Sequence, residues 1–312
     1  MNAVSEVVFL LVPKLHLLDL AGAAQVFSTA ADELAESGTA GGYRLRYVAE
    51  DPEVPTAQGL PVKAETAWPR LGPGDLVMVP GWRSPGTAGG PRLTAAQARH
   101  LFDHHRIGGT VASVCSGAFA LGQAGLLDGR RCTTHHDLQE ELASRFPEAS
   151  VIRDVLYTED ERVVTSAGIA SGIDLALHLV AVRHGPALAA RVAREMVVFA
   201  RRNGDDPQAS AMLRHRSHLS DAVHRVQDRI DAQFTKPLRL PDLAASSGVS
   251  QRTLTRQFAE ATGMTPLRYQ SVLRLERAEH LIGQGATVDA AARAVGFADA
   301  RMLRRLRAGA AA

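Results

Sequence analysis

The chain changes character near residue 200, and this change limits the folds that it can adopt. Before that point, short apolar runs rich in β-branched residues alternate with helical patterns, and after it only helical patterns occur. Apolar strands that alternate with helices predict an α/β fold, a parallel sheet covered on both faces with ligand sites at the carboxyl ends of its strands. The predicted strands are Val7–Val12, Leu45–Ala49, Leu76–Val79, Thr110–Val114 and Val163–Thr165, and the predicted helices include Thr94–His105, Ile173–Arg183 and Ala187–Phe199.

Three regions are predicted from this pattern. Residues 1–200 form the α/β domain, and 201–217 form a linker that begins with the charged, Gly- and Pro-containing run Arg201–Pro207. Residues 218–312 form an all-α domain. Its predicted helices are His218–Phe234, Pro241–Ser246, Ser250–Ala261, Pro266–Ile282, Val288–Val295 and Ala300–Arg307.

The last hundred residues are basic, whereas the rest of the chain is acidic. Residues 213–312 hold 16 Lys+Arg and 9 Asp+Glu, a net charge of +7, and residues 1–212 hold 19 and 24, a net charge of −5. A basic domain on an acidic body predicts a polyanionic partner for that domain. A basic but inert helical surface is the alternative.

Composition argues against several classes of protein. With 46% hydrophobic and 22% charged residues, the chain resembles ordinary globular proteins rather than disordered ones. No apolar run approaches the ~18 residues of a membrane span, and Met1–Leu20 lacks the basic start of a secretory signal. Only Cys115 and Cys132 are present, too few for a disulfide framework. We therefore expect a reduced, cytoplasmic protein without a membrane partner.

A weak internal repeat occurs in the basic domain. Residues 243–256 and 291–305 each contain a short helix, a glycine turn (Gly248 or Gly296) and a second helix with arginines. This is the pattern of a helix-turn-helix unit, whose second helix enters the major groove of double-stranded DNA; a purely structural helical bundle is the alternative. The candidate DNA-binding residues are Ser250, as a helix cap, with Gln251, Arg252, Thr253 and Arg256, and in the second copy Arg301, Arg304 and Arg305.

Four stretches of this domain resemble the AraC family of bacterial transcription regulators in their order and spacing: Leu243–Phe258, Gly263–Tyr269, Arg274–Leu281 and Val295–Phe297. The resemblance implies two helix-turn-helix units bridged by a long helix at about Pro266–Ile282. Arg274, in that helix, is expected to be a structural partner of the helix surface around Glu276–Arg277 or a phosphate contact, and its loss is expected to weaken binding to all DNA sequences alike.

The end of the chain departs from the AraC pattern. Arg307 stands where Phe258 stands in the first copy, and Ala308–Ala312 stands where the family has a further closing helix. The second unit is therefore expected to be truncated and less stable than the first.

A candidate nucleophile follows the strand Thr110–Val114. Residues Ser113–Gly117 have the small-x-nucleophile-x-small form of a nucleophile elbow, with Cys115 at its centre and the helical run Ala118–Ala124 after it. Such a turn places Cys115 at the amino end of a helix, where a thiolate is favoured. The alternative is a buried cysteine that acts as a small hydrophobic residue.

Other polar residues are candidates for the same ligand site. Asp19 follows the first strand and is either a site residue or a helix cap, and His135 is either a site residue or a structural histidine. Gly81, between Pro80 and Trp82, can present its N–H to an oxyanion or a carboxylate. The candidate ligand-binding residues are Asp19, Gly81, Trp82, Cys115, Ser116 and His135. His104 and His105 are interpreted as surface residues, and no metal cluster or phosphate loop stands out, so neither a metal nor a cofactor is predicted.

The first domain resembles the PfpI-like superfamily, which has the flavodoxin-like fold of class I glutamine amidotransferases. The resemblance rests on Leu18–Gly22, Val77–Gly81, Ser113–Gly117, Thr133–His135 and Thr165–Gly168. Together with the AraC-like domain, these residues resemble GlxA-type regulators. That subfamily implies a homodimer that senses a small metabolite, often an amino acid or a quaternary amine. Catalytic relatives such as isonitrile hydratases use a cysteine with an acidic partner, which matches Cys115 and Asp19.

Three functions are therefore open. A ligand-responsive transcription regulator is favoured, because a metabolic enzyme has no use for a DNA-binding domain. A PfpI-like enzyme of the hydratase, amidohydrolase or deglycase type is the second. The third is a thiol redox sensor, which requires the sulfur atoms of Cys115 and Cys132 to come within bridging distance.

Overall fold

The computed structural model divides the chain into two compact units, Met1–Gln208 and Ala209–Ala312. It describes residues 4–39, 41–83, 93–198, 202–205, 208, 215–216, 218–283 and 285–310. Of the predicted linker 201–217, only residues 202–205, 208, 215 and 216 are described, and the rest of that prediction lies outside the described residues.

A six-stranded sheet forms the centre of the first unit, in the order β2-β1-β5-β6-β10-β9. Neighbouring strands are parallel except at the edge, where β9 pairs antiparallel with β10. The predicted parallel sheet is thus present, with an antiparallel edge strand that the sequence pattern missed. The strands are β1 (Val4–Leu10), β2 (Gly42–Val48), β5 (Leu76–Val79), β6 (Thr110–Val114), β9 (Tyr157–Asp160) and β10 (Val163–Ser166), and two small pairs lie outside this sheet, β3 (Glu53–Pro55) with β4 (Pro61–Lys63) and β7 (Arg131–Cys132) with β8 (Ser150–Val151).

Helices cover both faces of this sheet. On one face α1, α5 and α6 pack over Val7 and Phe9 of β1, and on the other the segments around α2, α3 and α4 pack over Val8 and Leu10. All four side chains are fully buried because successive residues of a strand point to opposite faces and both faces are covered. The helices are α1 (Leu17–Glu36), α2 (Ala95–Arg106), α3 (Ala118–Gln123), α4 (Gln139–Arg145), α5 (Ser171–His184) and α6 (Pro186–Glu195).

The described part of the second unit consists of helices. Two of its helix pairs form the predicted helix-turn-helix units. The first pair is α8 (Leu240–Ser247) with α9 (Gln251–Thr262), the second is α11 (Val288–Ala294) with α12 (Ala300–Ala310), and α10 (Pro266–Gly283) bridges them. Gly248 ends α8 in the left-handed conformation (φ +72°), which a side chain would resist. The helix α7 (Asp221–Gln233) precedes them. Among the residues described, no helix combines the length and apolarity that crossing a bilayer requires.

The two helix-turn-helix units have different cores. In the first, Phe258 and Tyr269 are fully buried together with branched aliphatic side chains. In the described part of the second, most buried residues are alanines, with Leu303 as the buried anchor of α12. Arg307, which replaces the aromatic residue of the first copy, is exposed and forms a 2.7 Å ion pair with Glu279 of α10. The described core of the second helix-turn-helix unit is therefore built from smaller side chains than that of the first.

Candidate functional site

Cys115 lies at the carboxyl end of β6, in the centre of the sheet. Its backbone is in the strained left-handed region (φ +55°), and it begins a short 3₁₀ turn that leads into α3. The side chain is 7% exposed. The predicted elbow conformation is therefore present: Cys115 has the positive φ of a nucleophile elbow, directly between a strand and a helix.

Asp19 is held beside this elbow by two backbone N–H groups. Gly81 N–H donates to Asp19 Oδ2 at 3.1 Å, and Ile169 N–H donates to Oδ1 at 3.0 Å. Asp19 lies in the first turn of α1 but does not cap that helix, whose cap residue is His16. The Gly81 N–H that the sequence offered to an oxyanion or a carboxylate thus binds the carboxylate of Asp19.

Glycine residues bring these groups together at the strand ends. Gly168, which follows β10, has φ +123°, and a Cβ at this position would lie 2.6 Å from Cys115 Cβ and 2.9 Å from its sulfur atom. A Cβ on Gly81 would clash with both Asp19 Oδ2 and Cys115 Cβ. Segments that follow β1, β5, β6 and β10 therefore converge on the Cys115 sulfur, at the edge where parallel sheets bind ligands.

Burial keeps both acidic groups of the site protonated more than usual. It raises the pKa of the Cys115 thiol to about 12, and the negative charge of Asp19 adds to this effect. Burial also raises the pKa of Asp19 to about 6, although the hydrogen bonds from Ile169 and Gly81 oppose the shift. Burial and the charge of Asp19 therefore oppose the thiolate that the sequence predicted at this elbow.

The raised pKa of Asp19 predicts that the first unit becomes more stable as the pH falls from 7 towards 5. The folded state binds a proton at about pH 6 that the unfolded chain binds only near 3.8. The unfolding free energy should therefore rise by up to ~1.4 kcal/mol per pH unit within this window. Urea titrations at pH 7, 6 and 5, followed by fluorescence of Trp68 and Trp82, will measure the first unit selectively, because both tryptophans lie in it.

The matched variant for this measurement is Asp19→Asn, which removes the titration. Buried histidines have depressed pKa values and oppose the effect, but they are common to both proteins and cancel in the comparison. If the unfolding free energies of the two proteins change equally with pH, the pKa of Asp19 is not raised.

Ser116 and Trp82 bind each other. The Ser116 hydroxyl accepts from Trp82 N–H at 2.7 Å and donates to the Trp82 carbonyl at 2.9 Å. Both residues are buried, and the Trp82 ring packs in the core. Their polar groups therefore join the loop after β5 to the elbow, and a ligand has few of their donors or acceptors to use.

The side chain of His135 makes its recorded contacts within its own turn. It is 28% exposed, and its ring packs against that of His136 at an angle of 33°, with 4.1 Å between ring centroids. Burial lowers the pKa of His135, and the charge of His136 lowers it further. The residue that reaches the elbow is its neighbour Thr134, whose hydroxyl donates to the Cys115 carbonyl at 2.8 Å.

One prediction about the histidines needs correction. His104 is not a surface residue: it is 3% exposed and its Nε2 lies 3.1 Å from the Asp75 carbonyl oxygen.

A group of three possible metal ligands that the sequence did not indicate lies around a 3₁₀ turn. Donor atoms of His135, His136 and Asp137 lie within 4.8 Å of one another there.

The candidate DNA-binding side chains of α9 face away from its core. Leu254 and Phe258 are buried, whereas Arg252 and Arg256, about half a turn away around the helix, are exposed, as is Gln251. Ser250 caps α9 by accepting from Thr253 N–H at 3.2 Å. Arg256 forms a 3.0 Å ion pair with the exposed Glu260. In α12, Arg301, Arg304 and Arg305 are likewise exposed.

The comparisons with known proteins agree with this two-part organisation. A model of the DJ-1/PfpI family matches residues 5–182, and a model of a helix-turn-helix domain matches residues 243–307. The HTH-type transcriptional regulator CdhR of Pseudomonas aeruginosa is 30% identical over 78% of this chain and 71% of its own length. Isonitrile hydratase of Pseudomonas putida is 33% identical over 56% of this chain and 70% of its own length.

A solved structure supports the fold of the first unit. The crystal structure of an AraC family transcriptional regulator from Pseudomonas putida matches 62% of this chain and 99% of its own, with a TM-score of 0.51 and 24% identity. The predicted fold class, a flavodoxin-like α/β domain followed by a helical helix-turn-helix domain, is confirmed.

Proposed function

Because the chain belongs to the DJ-1/PfpI family and carries a helix-turn-helix domain at its other end, we propose that it is a transcription regulator that binds a double-stranded DNA operator and responds to a small metabolite. The observation that carries this proposal is the exposed face of α9, where Gln251, Arg252 and Arg256 lie opposite the buried Leu254 and Phe258. Exposed guanidinium and amide groups at the start of a helix suit base edges and phosphates.

The effector site is the region around Cys115, Asp19 and His135. It lies where the carboxyl ends of four parallel strands meet, the usual ligand position in this fold. The resemblance to GlxA-type regulators makes an amino acid or a quaternary amine the effector class, and a homodimer the assembly. The homodimer and the cytoplasmic location remain predictions.

Part of the chain between the two domains is anchored close to this site, which supports a route for the signal. Gln208 donates its side-chain N–H groups to the carbonyls of Thr134 (2.9 Å) and Val155 (2.8 Å), and its backbone N–H donates to Asp154. Thr134 in turn donates to the Cys115 carbonyl. A ligand that moves the Cys115 elbow therefore shifts the contacts of Gln208, which leads into the second unit.

We expect Arg252→Ala to relax sequence preference at one operator position. An arginine bidentate to guanine discriminates by ~1–3 kcal/mol, so affinity for the cognate site should fall about tenfold. The measurement is titration of single-base operator variants at two salt concentrations, with Arg225→Ala as the charge-matched control on the exposed surface of α7. If Arg252→Ala lowers affinity for cognate and scrambled DNA equally, Arg252 does not read a base, and that role is assigned to Gln251 or Arg256.

We expect Gln208→Ala to weaken the response to effector. Ligands identified by thermal shift among amino acids and quaternary amines should change operator affinity by ~5–150-fold in the wild type. In the variant that change should shrink several-fold, because Thr134 and Val155 lose their link to residue 208. Gln233→Ala, an exposed glutamine of α7, is the control. An unchanged ligand effect in Gln208→Ala would exclude this route.

An enzyme of the hydratase or amidohydrolase type is the second candidate, and the observation that favours it is the acidic side chain held beside Cys115. The protonated thiol weighs against it, since nucleophilic catalysis needs a thiolate and a base. Turnover of isonitriles or glutamine by the wild type, abolished in Cys115→Ala, would favour the enzyme. The redox-sensor alternative stays a hypothesis, with Cys115 and Cys132 both free and buried.

A further inference from the structure

Three donor-bearing side chains meet in the turn after β7, next to Thr134, whose hydroxyl donates to the Cys115 carbonyl. The Asp137 carboxylate lies 3.6 Å from His135 Nδ1 and 3.0 Å from His136 Nδ1. Two donors bound to one tetrahedral zinc ion at ~2.0–2.1 Å lie ~3.3 Å apart. The two observed separations, each to a different oxygen of the carboxylate, lie on either side of this value, and the donor atoms of all three side chains lie within 4.8 Å of one another. His135 Nδ1 also accepts a long 3.4 Å hydrogen bond from Asp137 N–H, which a bound ion would replace.

The turn that carries these donors is held in place. The His135 carbonyl accepts from Leu138 N–H at 2.8 Å, and the Thr134 carbonyl accepts from the side-chain amides of Gln139 (3.3 Å) and Gln208 (2.9 Å). Ligand-bearing backbone fixed in this way loses little freedom when an ion binds.

The donor set and its exposure indicate which ion fits. Two imidazoles and one carboxylate suit zinc and similar transition metals, whereas Mg²⁺ and Ca²⁺ prefer oxygen ligands alone. The His136 side chain is 51% exposed and that of Asp137 is 73% exposed, which leaves room for water to complete the coordination.

We propose that His135, His136 and Asp137 form a binding site for one Zn²⁺ ion. This proposal is independent of the regulatory function. It has a structural consequence, because Thr134, next to the ligands, is bonded both to the Cys115 carbonyl and to Gln208. A bound ion would therefore stiffen the turn that joins those two residues.

The test is titration of the tag-free, chelator-treated full chain with ZnCl₂ by calorimetry. We expect one equivalent to bind, and MgCl₂ to bind far more weakly. His136→Ala and Asp137→Asn should each weaken Zn²⁺ binding about tenfold or more. Both side chains are largely exposed, so melting of the metal-free variants should match the wild type and separate loss of binding from loss of folding. Co²⁺ substitution should give d–d bands without a thiolate charge-transfer band, because no cysteine is a ligand.

The matched control is His218→Ala. The His218 ring packs against the His224 ring at an angle of 30°, with 4.4 Å between ring centroids, so it is a second histidine pair that could attract zinc, without a carboxylate. This variant should bind Zn²⁺ as the wild type does. Any of three results would overturn the proposal. The wild type does not bind Zn²⁺, or His136→Ala and Asp137→Asn bind it with wild-type affinity, or His218→Ala alone loses binding.

Discussion

Replacement of Arg274 by alanine will lower affinity for a two-groove operator about 100-fold and will do so for every DNA sequence. The Arg274 guanidinium donates to the carbonyls of Phe234 (2.6 Å), Lys236 (2.8 Å) and Gly296 (3.1 Å), and it lies over the Phe297 ring. It therefore ties the turn of the second helix-turn-helix unit to the segment after α7. Hydrogen bonds to a charged group contribute ~1.5–3 kcal/mol each. Their joint loss therefore frees the second helix-turn-helix unit from the first.

The structure gives Arg274 the structural role among the two predicted alternatives, but its partners are backbone carbonyls outside α10 rather than the surface around Glu276–Arg277. Arg274→Lys should rescue little, because one ammonium group cannot span three carbonyls arranged for a planar fork. Arg277→Ala, an exposed arginine on the same helix, is the control. Operator titrations and thermal melting of the full chain supply the readout, and an affinity loss no greater than that of Arg277→Ala would contradict the role.

Substitution of Gly117 by alanine will destabilise the first unit by ~3 kcal/mol. A Cβ at this position would lie well inside van der Waals contact with the Val79 carbonyl oxygen and 3.3 Å from Ser113 Cβ. The backbone of two central strands must then separate, and such overpacking typically costs ~1–3 kcal/mol or more. For a unit of this size the expected decrease in Tm is roughly 6–12 °C.

Tryptophan fluorescence will again report on the first unit alone. Gly72→Ala is the control, since the nearest atom to its new Cβ would be Asp75 Oδ2 at an ordinary 3.8 Å. Equal melting temperatures for Gly117→Ala and Gly72→Ala would show that the elbow tolerates a wider turn than its geometry indicates.

Elements that form because of a local sequence pattern could be predicted from the sequence alone. The strand Thr110–Val114 and the elbow at Cys115 are readable because apolar periodicity and small flanking residues are local signals. The helix-turn-helix units are readable for the same reason, from a glycine turn and a capping residue such as Ser250.

Features that depend on distant partners were not predictable from the sequence. Asp19 could be named as a candidate, but its hydrogen bonds to residues 81 and 169 required the folded sheet. The protonated state of Cys115 follows from burial, which no single segment reveals. Gln208 gave no signal at all, because it lies in a polar stretch without periodicity.

The hydrogen bond between Asp19 and Ile169 has a consequence for the nascent protein. These residues are 150 positions apart in the chain, so at ~5–20 residues per second Ile169 is synthesised roughly 8–30 s after Asp19. Until then the Asp19 carboxylate lacks one of its two backbone donors, and Cys115 lacks the wall that Gly168 supplies. A ribosome-bound chain therefore cannot complete the surroundings of Cys115 before β10 has joined the sheet.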